Sequence, residues 1–139
     1  MGTSTTTYNP MGLPATQTDA LGKVTTLTYN ANGSPTTETN ARGGVTRYTY
    51  DAAGRQTAVE NPIAQITRTE YDATGNTTAD VDALGGRTVH TYDQANRLLS
   101  TQYPDGTSVT HTYDAEGNRT ATTDQLGRKT EFTYDGSKQ

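Results

Sequence analysis

Two histidines are the first residues of this sequence to suggest chemistry, because His90 and His111 occupy equivalent positions in a repeated pattern. Imidazole is a common metal ligand, and one ion would need a nitrogen of each ring within about 2.1 Å. In a sheet of consecutive hairpins, these positions lie about 9.5 Å apart with another strand between them. We therefore predict no metal site, and we expect each histidine to fill the place that Leu27, Tyr48 and Phe132 fill in other repeats.

Aspartates recur along the chain and suggest two further chemistries, calcium binding and acid–base catalysis. A calcium loop needs several oxygen ligands that converge on one ion, whereas each turn here offers one carboxylate, which it needs as its own cap. Glycoside hydrolysis needs two acids that flank a cleft, and no such pair stands out. The motifs of serine hydrolases, zinc proteases and phosphate loops do not occur, and there is no cysteine. We predict that the protein is not an enzyme and has no catalytic, cofactor-binding or metal-binding residue.

The segments that carry these residues recur with a fixed period. Such a period indicates a repeat architecture and is a stronger guide to the fold than any local pattern. Seven tyrosines recur at one constant interval of twenty-one without an insertion, and each is followed by Asp or Asn. We therefore predict a single domain over residues 1–139, an array of about six to seven repeats. The tyrosines are Tyr8, Tyr29, Tyr50, Tyr71, Tyr92, Tyr113 and Tyr134, and the residues after them are Asn9, Asn30, Asp51, Asp72, Asp93, Asp114 and Asp135.

Each repeat contains two turn phrases of the form Asp/Asn-x-x-Gly, ten or eleven residues apart. This pattern predicts a type I turn with Gly in the left-handed region at the fourth place, which suits a β-hairpin. Three of the twelve phrases depart from it, with Tyr103 at the first place of one and Ala64 and Asn96 at the fourth place of two others. Asn tolerates the left-handed region, but the phrase of Ala64 contains Pro62, so we expect another turn type there. Ten of the twelve phrases carry glycine at the fourth place, and these glycines are Gly12, Gly22, Gly33, Gly43, Gly54, Gly75, Gly85, Gly106, Gly117 and Gly127.

Strands of about six residues separate the turns, and Thr, Val and Tyr, which favour strands, fill them. No stretch shows a helical apolar period. Alternate residues share a face, so the face that carries the tyrosines is rich in rings, whereas the other face is charged or hydroxylic. This pattern is typical of an antiparallel sheet with one wetted side. The tyrosines are then structural anchors at the mouths of the turns, and rings that stack on carbohydrate are the functional alternative.

Two kinds of array fit this pattern, a hairpin meander and a parallel solenoid. A solenoid would stack Asp51, Asp72, Asp93 and Asp114 in a column about 4.8 Å apart, and like charges at that spacing repel. A meander separates equivalent residues by two strands, about 9.5 Å. We therefore predict an all-β fold, an antiparallel β-hairpin meander that forms a strip open at both edges.

Composition limits the partners of such a strip. Hydrophobic residues make up 29% of the chain and threonine is its commonest residue, which leaves too little aliphatic material for a deep two-layer core. The net charge of −4 is mild and spread along the chain, and no basic patch points to nucleic acid. No apolar run approaches the roughly 18 residues of a membrane span, and the first ten residues do not resemble a signal peptide.

The phrases "YTYDAAGRQT", "TEYDATGNTT", "HTYDQANRLL" and "HTYDAEGNRT", each after a Gly-containing turn such as "PDGTSVT", resemble the YD repeat of RHS (rearrangement hotspot) proteins. Relatives of this kind are bacterial polymorphic toxins, shells of insecticidal toxin complexes, wall-associated proteins and teneurins. The resemblance implies a long antiparallel strip that spirals into a hollow shell, which in toxins encloses a C-terminal cytotoxic domain. It also implies an extracellular or bacterial cell-surface location, with adjoining repeats or an enclosed toxin domain as partners in a parent protein.

Three functions follow from these observations as hypotheses. The first is a non-enzymatic wall or shell segment of a larger secreted or cell-surface protein. The second is a subunit of an extracellular β-filament, because an uncapped strip has unpaired edge strands that further copies can extend. The third is a surface array that binds glycans through its rings.

Overall fold

The computed structural model describes residues 2–134, so Asp135 of the tyrosine–aspartate series lies outside the described part. Thirteen antiparallel strands form one sheet in which neighbours in space are neighbours in sequence, and residues 2–134 contain no helix. The prediction of an all-β hairpin meander is confirmed. The strands are β1 (Thr5–Tyr8), β2 (Pro14–Thr18), β3 (Val24–Tyr29), β4 (Pro35–Thr39), β5 (Val45–Tyr50), β6 (Gln56–Glu60), β7 (Ile66–Tyr71), β8 (Thr77–Val81), β9 (Arg87–Tyr92), β10 (Leu98–Gln102), β11 (Ser108–Tyr113), β12 (Arg119–Thr123) and β13 (Lys129–Glu131).

The chain divides into two compact units, Met1–Arg68 and Thr69–Gln139. The first unit contains β1 to β6 and the start of β7, and the second contains the end of β7 and β8 to β13. Strands of five and six residues alternate from β2 to β12, as a repeat of two hairpin arms requires. The described residues include no helix long and apolar enough to span a membrane.

The repeat tyrosines lie where the strand register shifts. In the pair of β3 and β4, Thr28 faces Thr37, but Tyr29 faces Pro35, which leaves one residue of β4 unpaired. The same shift occurs at Tyr8, Tyr50, Tyr92 and Tyr113. A bulge of this kind bends the strand and increases its local twist.

Turns of two series join the strands. The tyrosine turns begin directly after a repeat tyrosine, and the return turns begin at Asp19, Asn40, Asn61, Asp82, Tyr103 and Asp124. Both series close with the same two backbone hydrogen bonds; at Asp51 these are Gly54 N to Asp51 O (3.0 Å) and Asp51 N to Arg55 O (2.9 Å). Within residues 2–134, the fourth residue of every turn has positive φ, from 60° at Asn96 to 99° at Gly75.

The expectation of another turn type at Asn61 is wrong. Ala64 has φ 61° and its amide donates to Asn61 O (3.0 Å), while Asn61 N donates to Gln65 O (2.9 Å). The physical reason lies in Pro62, because the proline ring restricts φ to the range that the second place of a type I turn requires. Ala64 therefore takes the left-handed conformation in spite of its Cβ.

Few residues in this sheet are fully buried. Of the residues described, only Ala79, Ala121 and Thr101 fall in the buried range. Along β3, half-buried residues alternate with exposed ones, and the half-buried positions include Leu27 and Tyr29. The tyrosine face is thus partly covered by its own side chains, and the backbone ladder with these half-buried rings takes the place of a sealed core.

Candidate functional site

The repeat tyrosines tie one repeat to the next through their hydroxyl groups. Each of five hydroxyls donates a hydrogen bond to the backbone carbonyl of the residue 15 positions earlier. The acceptors lie at the start of an even-numbered strand of the preceding repeat. The pairs are Tyr29 to Pro14 (2.8 Å), Tyr50 to Pro35 (2.8 Å), Tyr92 to Thr77 (2.9 Å), Tyr113 to Leu98 (2.8 Å) and Tyr134 to Arg119 (2.8 Å).

In four of these five bonds, the acceptor lies at the bulge of the preceding repeat. Pro14 is the register partner of Tyr8, and Pro35 is the register partner of Tyr29. The hydroxyl of Tyr50, for example, binds the backbone carbonyl of Pro35, the residue that pairs with Tyr29 of the preceding repeat. We call this contact the tyrosine clamp. It gives the phenol hydroxyl a partner, which a partly buried tyrosine needs.

A second set of contacts fixes the turns through the carboxylate at their first place. Oδ1 of Asp51 accepts hydrogen bonds from the amides of Ala53 and Arg55, both at 2.9 Å. Oδ2 of Asp51 accepts from Arg55 Nε at 2.7 Å. Asp93 with Arg97 and Asp124 with Arg128 repeat this pair at 2.6 Å. The arginine directly after the fourth residue of the turn is thus a brace for the turn carboxylate.

Asparagine replaces that arginine in two repeats. Asn76 Nδ2 donates to Asp72 Oδ2 at 2.9 Å, and Asn118 Nδ2 donates to Asp114 Oδ2 at 2.8 Å. The hydrogen bonds that Asn76 and Thr74 donate lower the pKa of Asp72 to about 2. Hydrogen bonds also lower the pKa of Asp51 and Asp93, with the backbone amide of the arginine as the largest cause. These carboxylates accept hydrogen bonds within their own turns and have lowered pKa values, so they are poorly suited to proton transfer near neutral pH.

The arginine brace also connects repeats in the second unit. The guanidinium of Arg97 lies over the ring of Tyr113, 4.7 Å from its centroid, and Nη1 donates to Asp114 O at 3.4 Å. A guanidinium over a ring face is a favourable cation–π contact. One side chain therefore supports the turn of its own repeat and the tyrosine of the next.

The two histidines have separate partners on the tyrosine face. His90 Nδ1 lies 3.0 Å from Thr101 Oγ1, and His111 Nδ1 lies 3.0 Å from Thr122 Oγ1. His90 is on β9 and His111 is on β11, with β10 between them. Burial, followed by the charge of Arg119, lowers the pKa of His111. Within residues 2–134, no group of three or more His, Asp or Glu side chains is placed to hold a metal ion.

A polar depression of about 760 Å³ lies in the first unit. Threonine hydroxyls and the amides of Gln17 and Asn40 line it, together with Asp19, Lys23 and Arg42. No aromatic ring is among its lining residues. The depression can accept hydrogen-bonding groups, but it offers no ring on which a sugar could stack.

On the other face, hydroxyl side chains pair across strands. Thr7 and Thr16 lie 2.6 Å apart through their hydroxyl oxygens, and Thr28 and Thr37 repeat this contact at 2.6 Å. In the second unit, Thr91 Oγ1 lies 2.7 Å from Ser100 Oγ. Such cross-strand pairs contribute modestly to sheet stability, and they explain the high threonine content of the strands.

The sequence predicts the tyrosines as anchors but not the atoms that they bind. The acceptor is a backbone carbonyl, and the residues that supply it, Pro14, Pro35, Thr77, Leu98 and Arg119, share no side-chain type. The fixed offset between donor and acceptor becomes visible only when strand register is known. The arginine brace has a clearer signal, because Arg or Asn follows the turn glycine in "YDAAGR" and "YDATGN".

Fold and contacts together define a class, the tandem-repeat all-β proteins in which one hairpin unit is copied and linked to its neighbours. The sequence profile described as RHS Repeat matches residues 8–45, 29–62, 71–108 and 113–138. The chain belongs to the RHS repeat family. A search of curated proteins found no match.

Solved structures share the fold at low sequence identity. A crystal structure of TcdB2-TccC3-Cdc42 is 21% identical with a TM-score of 0.69, covering 87% of this chain and 7% of that chain. TcdB2-TccC3 without its hypervariable C-terminal region gives the same values. The Tc holotoxin pore of Photorhabdus luminescens with a mutation in TccC3 is 20% identical with a TM-score of 0.58, covering 86% and 9%. This chain therefore spans less than a tenth of the length of these structures.

Proposed function

We propose that this chain is a non-enzymatic wall segment of an RHS-type β-shell that belongs to a larger secreted or cell-surface protein of toxin type. The observation that carries the proposal is the tyrosine clamp, which at five tyrosines links a repeat to the one before it by the same bond. Repeats that contact only their neighbouring repeats can be added to an array while the packing within each repeat stays the same. A wall needs this property, because its length has to grow while its local structure stays constant.

The side chains support a structural role. The described turn carboxylates are engaged as caps, five tyrosine hydroxyls bind backbone, and each histidine has its own threonine. The solved relatives by fold contain Tc toxin components. By analogy, the partners of this segment are adjoining YD repeats and a toxin domain enclosed by the parent protein, and its location is extracellular or the bacterial cell surface.

Cryo-electron microscopy of the natural polypeptide that contains this segment tests the proposal. We expect a closed β-shell in whose wall residues 8–134 lie as consecutive hairpins. A parent polypeptide in which this segment forms an isolated strip, with no enclosed space beside it, would contradict the wall function.

A filament subunit is the first alternative, and the ends of the sheet favour it. β1 and β13 are the first and last strands of the sheet, so each has one side that no described strand covers. Edge strands of this kind pair with further copies. Negative-stain microscopy of the isolated chain would then show fibres, and Thr6→Pro, which removes an amide from β1, would shorten them.

Glycan binding is the second alternative, and the polar depression in the first unit favours it. Its hydroxyl, amide and charged groups suit a hydrogen-bonding ligand. A glycan array tests this function, and Gln17→Ala should abolish any binding that the wild-type chain shows. An array without binding would remove the alternative.

A further inference from the structure

The two edges of each unit differ in the residues that their turns expose. All return turns of a unit lie at one edge of its part of the sheet, because the strands are antiparallel and consecutive. The third place of a return turn is Leu21, Arg42 or Ile63 in the first unit and Leu84, Asp105 or Leu126 in the second. The tyrosine turns of the opposite edge have Met11, Asn32, Ala53, Thr74, Ala95 and Glu116 at that place.

The aliphatic side chains of the return edge are almost fully exposed. Their exposed fractions are 81% for Leu21, 74% for Ile63, 93% for Leu84 and 76% for Leu126. Single exposed apolar residues are ordinary on a protein surface. In each unit, however, they stand at the third place of two of the three return turns, on the return edge of that unit, and this recurrence points to a contact surface.

Each row has one charged residue between its two aliphatic residues. In the first unit this is Arg42, which makes no ion pair with any described residue. In the second unit it is Asp105, whose Oδ1 accepts from the amide and the hydroxyl of Thr107 at 2.9 and 2.6 Å. These bonds lower the pKa of Asp105 and keep its carboxylate ionised near neutral pH.

The units also differ in total charge. The first unit has five Lys and Arg residues against four Asp and Glu, whereas the second has six against eleven. The net charge of the whole sequence is mild, but the excess of acidic residues lies in the second unit. Surfaces of opposite charge attract each other and select the partner's orientation.

We propose that the return edge is a docking surface for a second copy of this chain, in which the edge of the first unit binds the edge of the second unit of its neighbour. Aliphatic turn tips then meet aliphatic tips, and Arg42 meets Asp105. A second copy fits because its row has the same spacing of two strands, about 9.5 Å. This contact differs from edge-strand pairing, since it uses turn side chains and leaves the edge amides free.

Sedimentation velocity of the full chain tests the proposal at concentrations from about 10 µM to about 1 mM, the range that suits a small interface. We expect the wild-type chain to associate, and we expect the association to weaken as salt is added, because salt screens exposed charges. Arg42→Asp and Asp105→Arg should each weaken association by about tenfold or more, since each change places like charges opposite one another.

Mixing the two variants is the decisive step. An equimolar mixture of Arg42→Asp and Asp105→Arg should associate as the wild type does, because every contact between the two kinds of copy again joins opposite charges. Glu116→Arg is the matched control, with the same charge change at the same turn place on the opposite edge, and it should leave association unchanged. Far-UV circular dichroism checks that each variant keeps its strand content.

A variant pair without charge covers the case in which Asp105→Arg disturbs its turn. Leu84→Ser should weaken association, whereas Met11→Ser, at the equivalent place of a tyrosine turn, should not. A wild-type chain that is monomeric throughout the concentration range would overturn the proposal. Failure of the mixture to associate, or an equal effect of Glu116→Arg, would overturn it as well.

Discussion

At the scale of single residues, the tyrosine hydroxyl is the group that distinguishes this array from a plain series of hairpins. Tyr113, for example, lies at the bulge of its own repeat, and its hydroxyl binds the carbonyl of Leu98 at the bulge of the preceding one. A phenylalanine in its place would keep the ring and lose the link. Substitutions at Tyr92 and at Asp72 separate the contributions of the hydroxyl and of the turn carboxylate.

Tyr92→Phe should lower the free energy of unfolding by about 1 kcal/mol, because it leaves the carbonyl of Thr77 without its donor. Urea denaturation monitored by circular dichroism measures the change. Tyr8→Phe is the control, since the Tyr8 hydroxyl makes no hydrogen bond with a described residue and its side chain is exposed. Equal effects of the two substitutions would contradict the clamp.

The turn carboxylates should make stability depend on pH. The folded pKa of Asp72 is about 2, below the value of about 3.9 for a free aspartate. The folded state therefore gains stability from the ionised carboxylate above about pH 4, and this gain is lost as pH falls towards 2. Urea denaturation between about pH 5 and pH 2 should show the loss in the wild type and a shallower loss in Asp72→Asn.

Asparagine at this place keeps the cap and removes the titration. Oδ1 of Asn30 accepts from the amides of Asn32 and Ser34 at 3.0 and 2.9 Å, as an aspartate does in other turns. The reverse change, Asn30→Asp, should therefore steepen the pH dependence. Identical pH profiles for all three proteins would show that the turn carboxylates do not contribute.

At the scale of elements, strand length and turn position could be predicted because the period fixes them and because glycine marks the left-handed place. The register shift at each tyrosine could be predicted only in outline. The prediction failed at Ala64, where a proline-containing turn keeps the geometry of its neighbours. It failed because two backbone hydrogen bonds and the proline outweigh the cost of a Cβ at positive φ, about 1–2 kcal/mol.

That cost leads to a stabilising substitution. Ala64→Gly should raise the free energy of unfolding by about 1 kcal/mol, because glycine adopts positive φ without strain. Ala53→Gly is the control within an equivalent turn, since Ala53 is not among the residues with positive φ and glycine there only adds freedom to the unfolded chain. Thermal denaturation of both variants compares them, and a destabilised Ala64→Gly would contradict the strain at this turn.

At the scale of the whole molecule, the contacts of the site could not be read from the sequence, because the clamp joins residues whose proximity depends on register. The class of fold and the family could be read, since the period and the motif "YDAAG" are visible in the residues themselves. A chain whose repeats contact only their neighbouring repeats should tolerate the loss of one complete repeat. It should not tolerate the loss of half a repeat, because two six-residue strands would then follow each other where a five-residue and a six-residue strand alternate.

Deletion of residues 72–92 removes one full period and joins Tyr71 to Asp93. We expect this shortened chain to keep its strand content and unfold cooperatively, with a smaller free energy of unfolding. Deletion of residues 72–81 removes one turn and one strand, so it should disrupt the clamps and lose circular dichroism signal. Equal damage from both deletions would contradict a repeat array.

The central claim is that consecutive repeats are joined by the tyrosine clamp within an antiparallel meander, and nuclear Overhauser measurements on the labelled chain test it most directly. The account predicts contacts from the ring of Tyr92 to the protons of Thr77 and Thr78, and from the ring of Tyr113 to those of Leu98 and Leu99. Contacts between the rings of Tyr92 and Tyr113 themselves, without contacts to those residues, would indicate stacked parallel coils and contradict it.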